Sequence, residues 1–298
     1  MSDGARDGSP PFEAQSEILK LARLLERQPQ SLEYLTELPT ADLRRLREQV
    51  TDVLFDANHK TLTRLAAASK LLPATLTAAI AQRAFGPLLA ARIAGLLEPA
   101  RAVEVAAKLP PKFLADVAVE LDPRRASDVI ARIPPAQIKA VAAELVLRHE
   151  YVAMGRFVGH LPEQSVRASL EVIDDADLLR LGFVLEQKES LGSLVGLLSE
   201  KRLDGLIDAA AEHDLWAEAL DLLNHLDKRR RRKLVERAVD KGPPVLEPLV
   251  VTAERRDMWD EVLALESAIG DASRDRFIGF IEERHPELQE KLELRRGA

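Results

Sequence analysis

The sequence predicts an all-α fold, and three observations carry that expectation. Ala (42) and Leu (49) together supply 91 of the 298 residues, and both are strong helix formers. Aromatic residues are few, with 2 Trp, 2 Tyr and 8 Phe, whereas strands favour aromatic and β-branched side chains. A proline-marked unit also recurs every twelve residues through the middle of the chain. Internal repetition of that kind indicates a stack of small helical units, a solenoid.

Met1 to Pro11 holds only Gly, Ser, Pro, Ala and charged residues besides Met1. It is expected to be a disordered tail, and it lacks the apolar core of a secretory signal. Residues 12–70 carry longer amphipathic helices. Ile18, Leu21, Leu24 and Leu25 form one stripe. Leu43, Leu46, Val50, Val53 and Leu54 form another, after an expected N-cap in Thr40-Ala41-Asp42. This region is suited to cover the exposed end of the repeats that follow. The most apolar stretch, Leu71 to Leu97, has the length of a membrane span. Arg83 and Arg92 lie within it, and Pro73 and Pro87 interrupt it. Two short buried helices are expected there instead, in a cytoplasmic protein.

The strict repeat begins inside that stretch. Phe85-Gly86-Pro87, Leu97-Glu98-Pro99, Leu109-Pro110-Pro111, Leu121-Asp122-Pro123 and Ile133-Pro134-Pro135 stand in one register. Proline suits the first turn of a helix, where its missing N–H is not needed, and it ends the preceding helix. Each unit is therefore expected to be a helix of about nine residues and a tight corner. The ninth positions read Ile93, Val105, Val117, Val129 and Val141, and the sixth Ala90, Ala102, Leu114, Ala126 and Ile138. Together with the tenth position and the next unit's first, they trace one helix face. Glu104, Asp116 and Asp128 at the eighth position are expected to face outward. Helices this short need neighbours on both sides, because nucleation is costly.

After Glu144 the units loosen. His149 to Pro162 reads as helix and turn, and Glu163 to Val172 as a second helix. Asp214-Leu215-Trp216 returns 43 residues later as Asp257-Met258-Trp259, and Leu234-Val235 as Phe277-Ile278. Helix pairs of the HEAT type are expected, with Pro243, Pro244 and Pro248 marking the break between two of them. The expected organisation is a tail at 1–11, an N-terminal helical region at 12–70, a superhelix at 71–196, helix-pair repeats at 197–291 and a frayed end at 292–298.

The run from Phe85 to about Gly196, with its Leu109-Pro110-Pro111 and Ile133-Pro134-Pro135 units, resembles the intracellular N-terminal domain of MgtE-type magnesium transporters. It is similar in superhelical style, more distantly, to the flagellar switch protein FliG. The resemblance covers somewhat over a third of the chain and rests on a structural motif. It implies a right-handed superhelix with a regulatory or scaffolding role and protein partners. Nothing after Gly196 looks like the CBS or membrane domains of that family, so no transport function and no magnesium ligand is carried over.

The residues offer little catalytic chemistry. The chain has no cysteine, which excludes disulfides, thiolate metal sites and a thiol nucleophile. The imidazoles His59, His149, His160, His213, His225 and His285 show no zinc-type spacing. His213 and His225, with Asp214 and Asp227 beside them, could form a dyad, but both stand at expected helix ends, where a polar terminator is wanted anyway. Asp174-Asp175-Ala176-Asp177 lacks the Gly turn and distal Glu of a calcium loop, and it suits the N-cap of a helix over 176–185. No phosphate-cradling Gly loop is present, and Gly192-Ser193-Leu194 lacks a nucleophile elbow. Trp216 and Trp259, at equivalent positions, are expected to be packing anchors.

The sharpest feature is the run Lys228, Arg229, Arg230, Arg231, Arg232 and Lys233. It is a candidate contact for nucleic-acid phosphates, acidic lipid headgroups or an acidic partner surface. Its structural alternative is a charged helix start balanced by Asp227 and Glu236. The chain's formal charge of −7 argues against a nucleic-acid protein on charge alone, and no aromatics interleave the run for base stacking. The sequence thus points to a non-enzymatic cytoplasmic α-solenoid without a cofactor, acting as a protein-interaction or regulatory scaffold. The alternative is a nucleic-acid or anionic-surface binder that uses residues 228–233.

Overall fold

The structure, a computed structural model, describes residues 12–25, 27–56, 59–266 and 268–288. The expected tails at 1–11 and 292–298 lie outside the described residues. Those described form nineteen α-helices joined by short turns, 3-10 segments and a π-helical stretch at Ala81–Phe85, with no strand among them. The chain divides into two compact units between Val172 and Ile173. No helix among the described residues is long and apolar enough to cross a membrane.

The first unit opens with α1 (Phe12–Leu24), α2 (Thr40–Asp56) and α3 (His59–Ala68). Ile18, Leu21 and Ala22 pack against Leu32 and Leu43 in a separate small core. Leu25 instead lies exposed, because α1 ends before it. Thr40 is the first residue of α2, not its cap. Glu17, buried within this core, takes Lys20 Nζ at 2.8 Å and Arg47 Nε at 3.1 Å. Burial alone would push its carboxyl up, but the two cations outweigh burial and hold it below the usual carboxylate range.

The twelve-residue units follow as α4 (Ala74–Ile80), α5 (Gly86–Ala94), α6 (Pro99–Ala106), α7 (Pro111–Glu120), α8 (Ser127–Ile130) and α9 (Pro135–Leu147). Then come α10 (Tyr151–Phe157) and α11 (Glu163–Leu170). Apart from α10, which meets α9 and α7, these helices stack on the next but one. α3, α5, α7, α9 and α11 form one row, and α4, α6 and α8 the other. Leu62 and Ala66 of α3 pack on Ile93 of α5, so the N-terminal region supplies the first member of a row.

This arrangement explains a pattern that the twelve-residue register hides. The ninth position is buried at Ile93, Val105, Val117 and Val129 and half-buried at Val141. The sixth alternates: Ala102 and Ala126 are buried, while Ala90, Leu114 and Ile138 are half-buried. The eighth alternates too, with Glu104 and Asp128 exposed but Asp116 half-buried and paired with Arg148. Consecutive helices belong to opposite rows and must turn different flanks toward the core. The structural period is therefore two sequence units, and Asp116, its side chain still 39% exposed, faces outward while meeting Arg148.

The fourth unit departs further. Where a full helix is expected, only Ser127–Ile130 is helical. Asp122 Oδ1 accepts the Arg124 N–H at 3.1 Å and its carboxylate holds the Arg124 guanidinium. That local bond competes with helix initiation at Pro123.

The second unit contains α12 (Asp175–Phe183), α13 (Leu191–Gly196), α14 (Glu200–Glu212), α15 (Trp216–Asn224), α16 (Lys228–Lys241), α17 (Pro243–Arg255), α18 (Trp259–Glu266) and α19 (Asp271–Arg284). The 43-residue offset maps α14 on α17, α15 on α18 and α16 on α19. Each expected helix pair is thus joined by a third helix, and equivalent helices pack on one another. The break between the repeats is Gly242, at φ +71°, followed by Pro243 in the first turn of α17. Pro248 lies inside α17 rather than at the break.

Asp214 and Asp257 hold the same corner, at φ 54° and 50°. The N–H of the next residue returns to the carbonyl five positions back, Leu215 to Ala210 at 3.0 Å and Met258 to Ala253 at 2.9 Å. These are helix stops closed by a left-handed residue. His149, at φ 55°, closes α9 in the same way.

Candidate functional site

The basic run forms the first turn and a half of α16. Asp227 caps the helix by accepting the Arg230 N–H at 2.9 Å, and its carboxylate also pairs with the Arg230 guanidinium. These contacts, the backbone N–H foremost, hold the Asp227 carboxyl below the usual range. Arg231 turns back and donates to the carbonyls of Leu223 at 2.9 Å, Asn224 at 2.8 Å and Leu226 at 3.2 Å, closing the end of α15. Arg232 Nε meets Glu236 at 2.8 Å. Lys233 Nζ reaches Glu200 of α14 at 2.6 Å. Lys228 and Arg229 are exposed, and their side chains pair with no other described residue.

α16 runs parallel to its neighbours on both sides. Toward α14, Arg237 joins Glu200 at 2.9 Å and also Asp204, and Lys241 joins Asp208 at 2.6 Å. Toward α19, Glu236 accepts the Gly270 N–H at 3.1 Å, and Asp240 pairs with Arg276 at 2.6 Å. The hydrogen bond from Lys233 holds the Glu200 carboxyl low, and that from Arg237 does the same for Asp204. The ladder was readable as opposite charges 33 residues apart. Lys188 and Asp221, at 2.7 Å, repeat the same spacing.

The remaining candidates take structural places. Asp174 caps α12, accepting the Asp177 N–H at 2.7 Å. His213 and His225 close α14 and α15, and His225 Nε2 lies 3.8 Å from Asp221. His149 Nδ1 lies 2.6 Å from the Tyr151 hydroxyl, and His285 Nε2 3.1 Å from Glu247. Among the described residues no three His, Asp or Glu side chains converge in a metal-holding arrangement. Gly192 and Ser193 lie within α13. Trp216 and Trp259 are buried. The Trp259 indole N–H donates to Glu254 at 2.7 Å. That of Trp216 has no partner in the structure, because the position equivalent to Glu254 is Ala211.

Sequence reasoning missed one close approach. The Asp175 carboxylate lies so near Gly205 that a Cβ there would stand 2.0 Å from Oδ2. Burial, with Asp174 and Asp208 nearby, pushes this carboxyl above the usual range despite Arg202. A Gly at mid-helix in α14 was the available signal.

No protein-family model matches the chain, and neither does any curated protein or solved structure with which it was compared.

Proposed function

We propose that the chain is a non-enzymatic helical-repeat scaffold that binds a macromolecular partner, a protein above all. One observation carries this reading. Within each unit the helices meet neighbours a few tens of residues away in sequence, through several small cores and a ladder of pairs. Such quasi-one-dimensional packing leaves long faces of each helix available for recognition. Leu71, Leu72 and Leu76, 86%, 37% and 47% exposed within one short stretch, add an apolar contact of the kind that partners cover. The resemblance of residues 85–196 to the cytosolic domain of MgtE-type transporters supports a regulatory role in a right-handed superhelix, without transport. The test is affinity purification of the tagged chain from native lysate with mass spectrometry. A reproducible protein partner and no substrate turnover are expected, and repeated purification without any partner overturns the proposal.

A further inference from the structure

The two 43-residue repeats provide an internal control for the basic run. Arg231 is matched by Arg274, whose guanidinium also donates into the turn before its own helix, to the Ile269 carbonyl, as Arg231 does to that of Leu226. Lys233 is matched by Arg276, and both make lateral pairs to the neighbouring helix, with Glu200 and Asp240. These two cations do work that the repeat requires. The other four have no such counterpart. Lys228, Arg229, Arg230 and Arg232 stand where the second repeat has Asp271, Ala272, Ser273 and Asp275. The fold builds the same helix there without a cation, so these four charges are surplus to its construction.

Their placement leaves them accessible. The first residue of α14, Glu200, meets α16 at Lys233 and Arg237, and the N–H just before α19 meets it at Glu236. Lys228 precedes Lys233 by five residues, which is about 7 Å of helix beyond the level where α14 begins. The elements flanking that extension present glycines. Side chains at Gly192 and Gly196 of α13 would approach the Arg230 guanidinium at 3.8 and 3.6 Å, and one at Gly270 would come within 2.9 Å of Arg232. Asp227 and Glu236 offset Arg230 and Arg232, and Lys228 and Arg229 retain an uncompensated charge of about +2.

We propose that Lys228, Arg229, Arg230 and Arg232 form the docking surface for a short acidic segment of a partner protein. This rests on the scaffold function proposed above. Two free cations and two exchangeable pairs match the few carboxylates of such a segment. A nucleic-acid backbone is a poorer fit. It presents a continuous array of phosphates, and here it would run against Asp227, Glu236, Glu200 and Asp240 on the same row of helices. No aromatic residue described in 173–288 is exposed to stack a base. An acidic membrane is recognised by clusters of four or more free cations or by inserted apolar side chains. Among the described residues of this unit, Val251 of α17 is the one large apolar residue that lies exposed.

The test compares the full chain with the Lys228→Glu/Arg229→Glu double variant, whose substituted side chains have no described partner, and with Lys108→Glu as a control at another exposed cation. Far-ultraviolet circular dichroism checks that each is folded. The probes are a fluorescein-labelled decapeptide of Asp and Glu, a single-stranded DNA 20-mer and phosphatidylserine vesicles. The peptide is expected to bind the wild type and the control alike, more weakly as salt rises, and to lose about tenfold or more in affinity for the double variant. Absence of peptide binding at millimolar concentration, or equal binding to all three chains, overturns the proposal. DNA or vesicles that bind more tightly than the peptide and are released by the double variant assign the surface to phosphates and overturn the partner class. In affinity purification, a double variant that keeps every wild-type partner sinks this surface while the scaffold reading stands. A wild type that captures nothing sinks the scaffold reading itself.

Discussion

Residues 12–172 hold their helices together with small apolar contacts, bonds to backbone carbonyls and scattered ion pairs such as Asp116–Arg148, whereas residues 173–288 add a regular ladder of charge pairs between parallel helices. In the first unit Ala91, Ala115 and Ala126 are nearly or wholly inaccessible. Side chains that cross between helices often end on carbonyls, as Gln137 does on Ala106 and Arg156 on Val119. In the second unit Glu200, Asp204, Asp208 and Asp240 each meet a cation from the next helix. Composition follows the same division. Residues 1–172 carry 22 basic and 21 acidic residues, and 173–298 carry 20 and 28. Small side chains let short helices approach closely, and the approach itself then sets the register. In the second unit the register is fixed by pairs along the helices, and the excess of acid leaves a local basic patch chemically distinct.

The largest test of this contrast is Val117→Asp in the first unit. Val117 packs with Ala91 and Phe113, and an unpaired charge there should cost about 3–5 kcal/mol. Glu104→Ala, on an exposed position paired with Arg101, should change the melting temperature little. Equal stability of the two in thermal unfolding would show that the alternating rows are misassigned.

Next in size is a comparison of the two tryptophans, both of which lie in the second unit, so that indole emission reports on it alone. Trp259→Phe should be more destabilising than Trp216→Phe by about 1 kcal/mol, because only the former loses an indole hydrogen bond. Chemical denaturation followed by circular dichroism measures the difference. Ala211→Glu, placing a carboxylate where the second repeat has Glu254, should in turn stabilise the Trp216 site by up to about 1 kcal/mol.

The charge ladder gives a smaller but diagnostic effect. Arg237→Ala should cost at most about 1 kcal/mol at low salt and less at high salt, since its partners are exposed.

Acid should act on the second unit first. Lys233 holds Glu200 low, Arg237 holds Asp204, the Arg230 N–H holds Asp227, and Arg232 holds Glu236. In the first unit Glu17 and Asp122 are held low, each by cations that outweigh its burial. A carboxyl lowered by folding contributes stability that is complete above its unfolded pKa, near 4 for Asp and Glu, and that is lost as pH falls through its folded value. Asp175, raised by burial, acts oppositely and favours the fold at low pH. With four lowered groups against that one, indole emission should report unfolding below about pH 4 ahead of the global circular dichroism signal. Coincident transitions would remove the distinction between the units.

Much of this was legible in residue types. The prolines announced the helix starts at Pro99, Pro111 and Pro135, because a missing N–H costs nothing in a first turn. The 43-residue offset announced the buried tryptophans. The basic run was visible as a charge pattern, but its division was not. Which cations close a helix end, which bridge to α14 and which remain free depends on helices that lie 33 residues away in sequence and side by side in space.

Periodicity and composition by themselves determined that the chain is helical, repetitive and marked by proline, since backbone propensity and side-chain pattern are local properties. Only the tertiary structure decided that consecutive units fall in opposite rows and that Asp175 needs Gly205. It also decided that four cations of α16 are surplus. Each of these is a matter of which groups meet, and meetings between distant helices are set by packing rather than by sequence spacing.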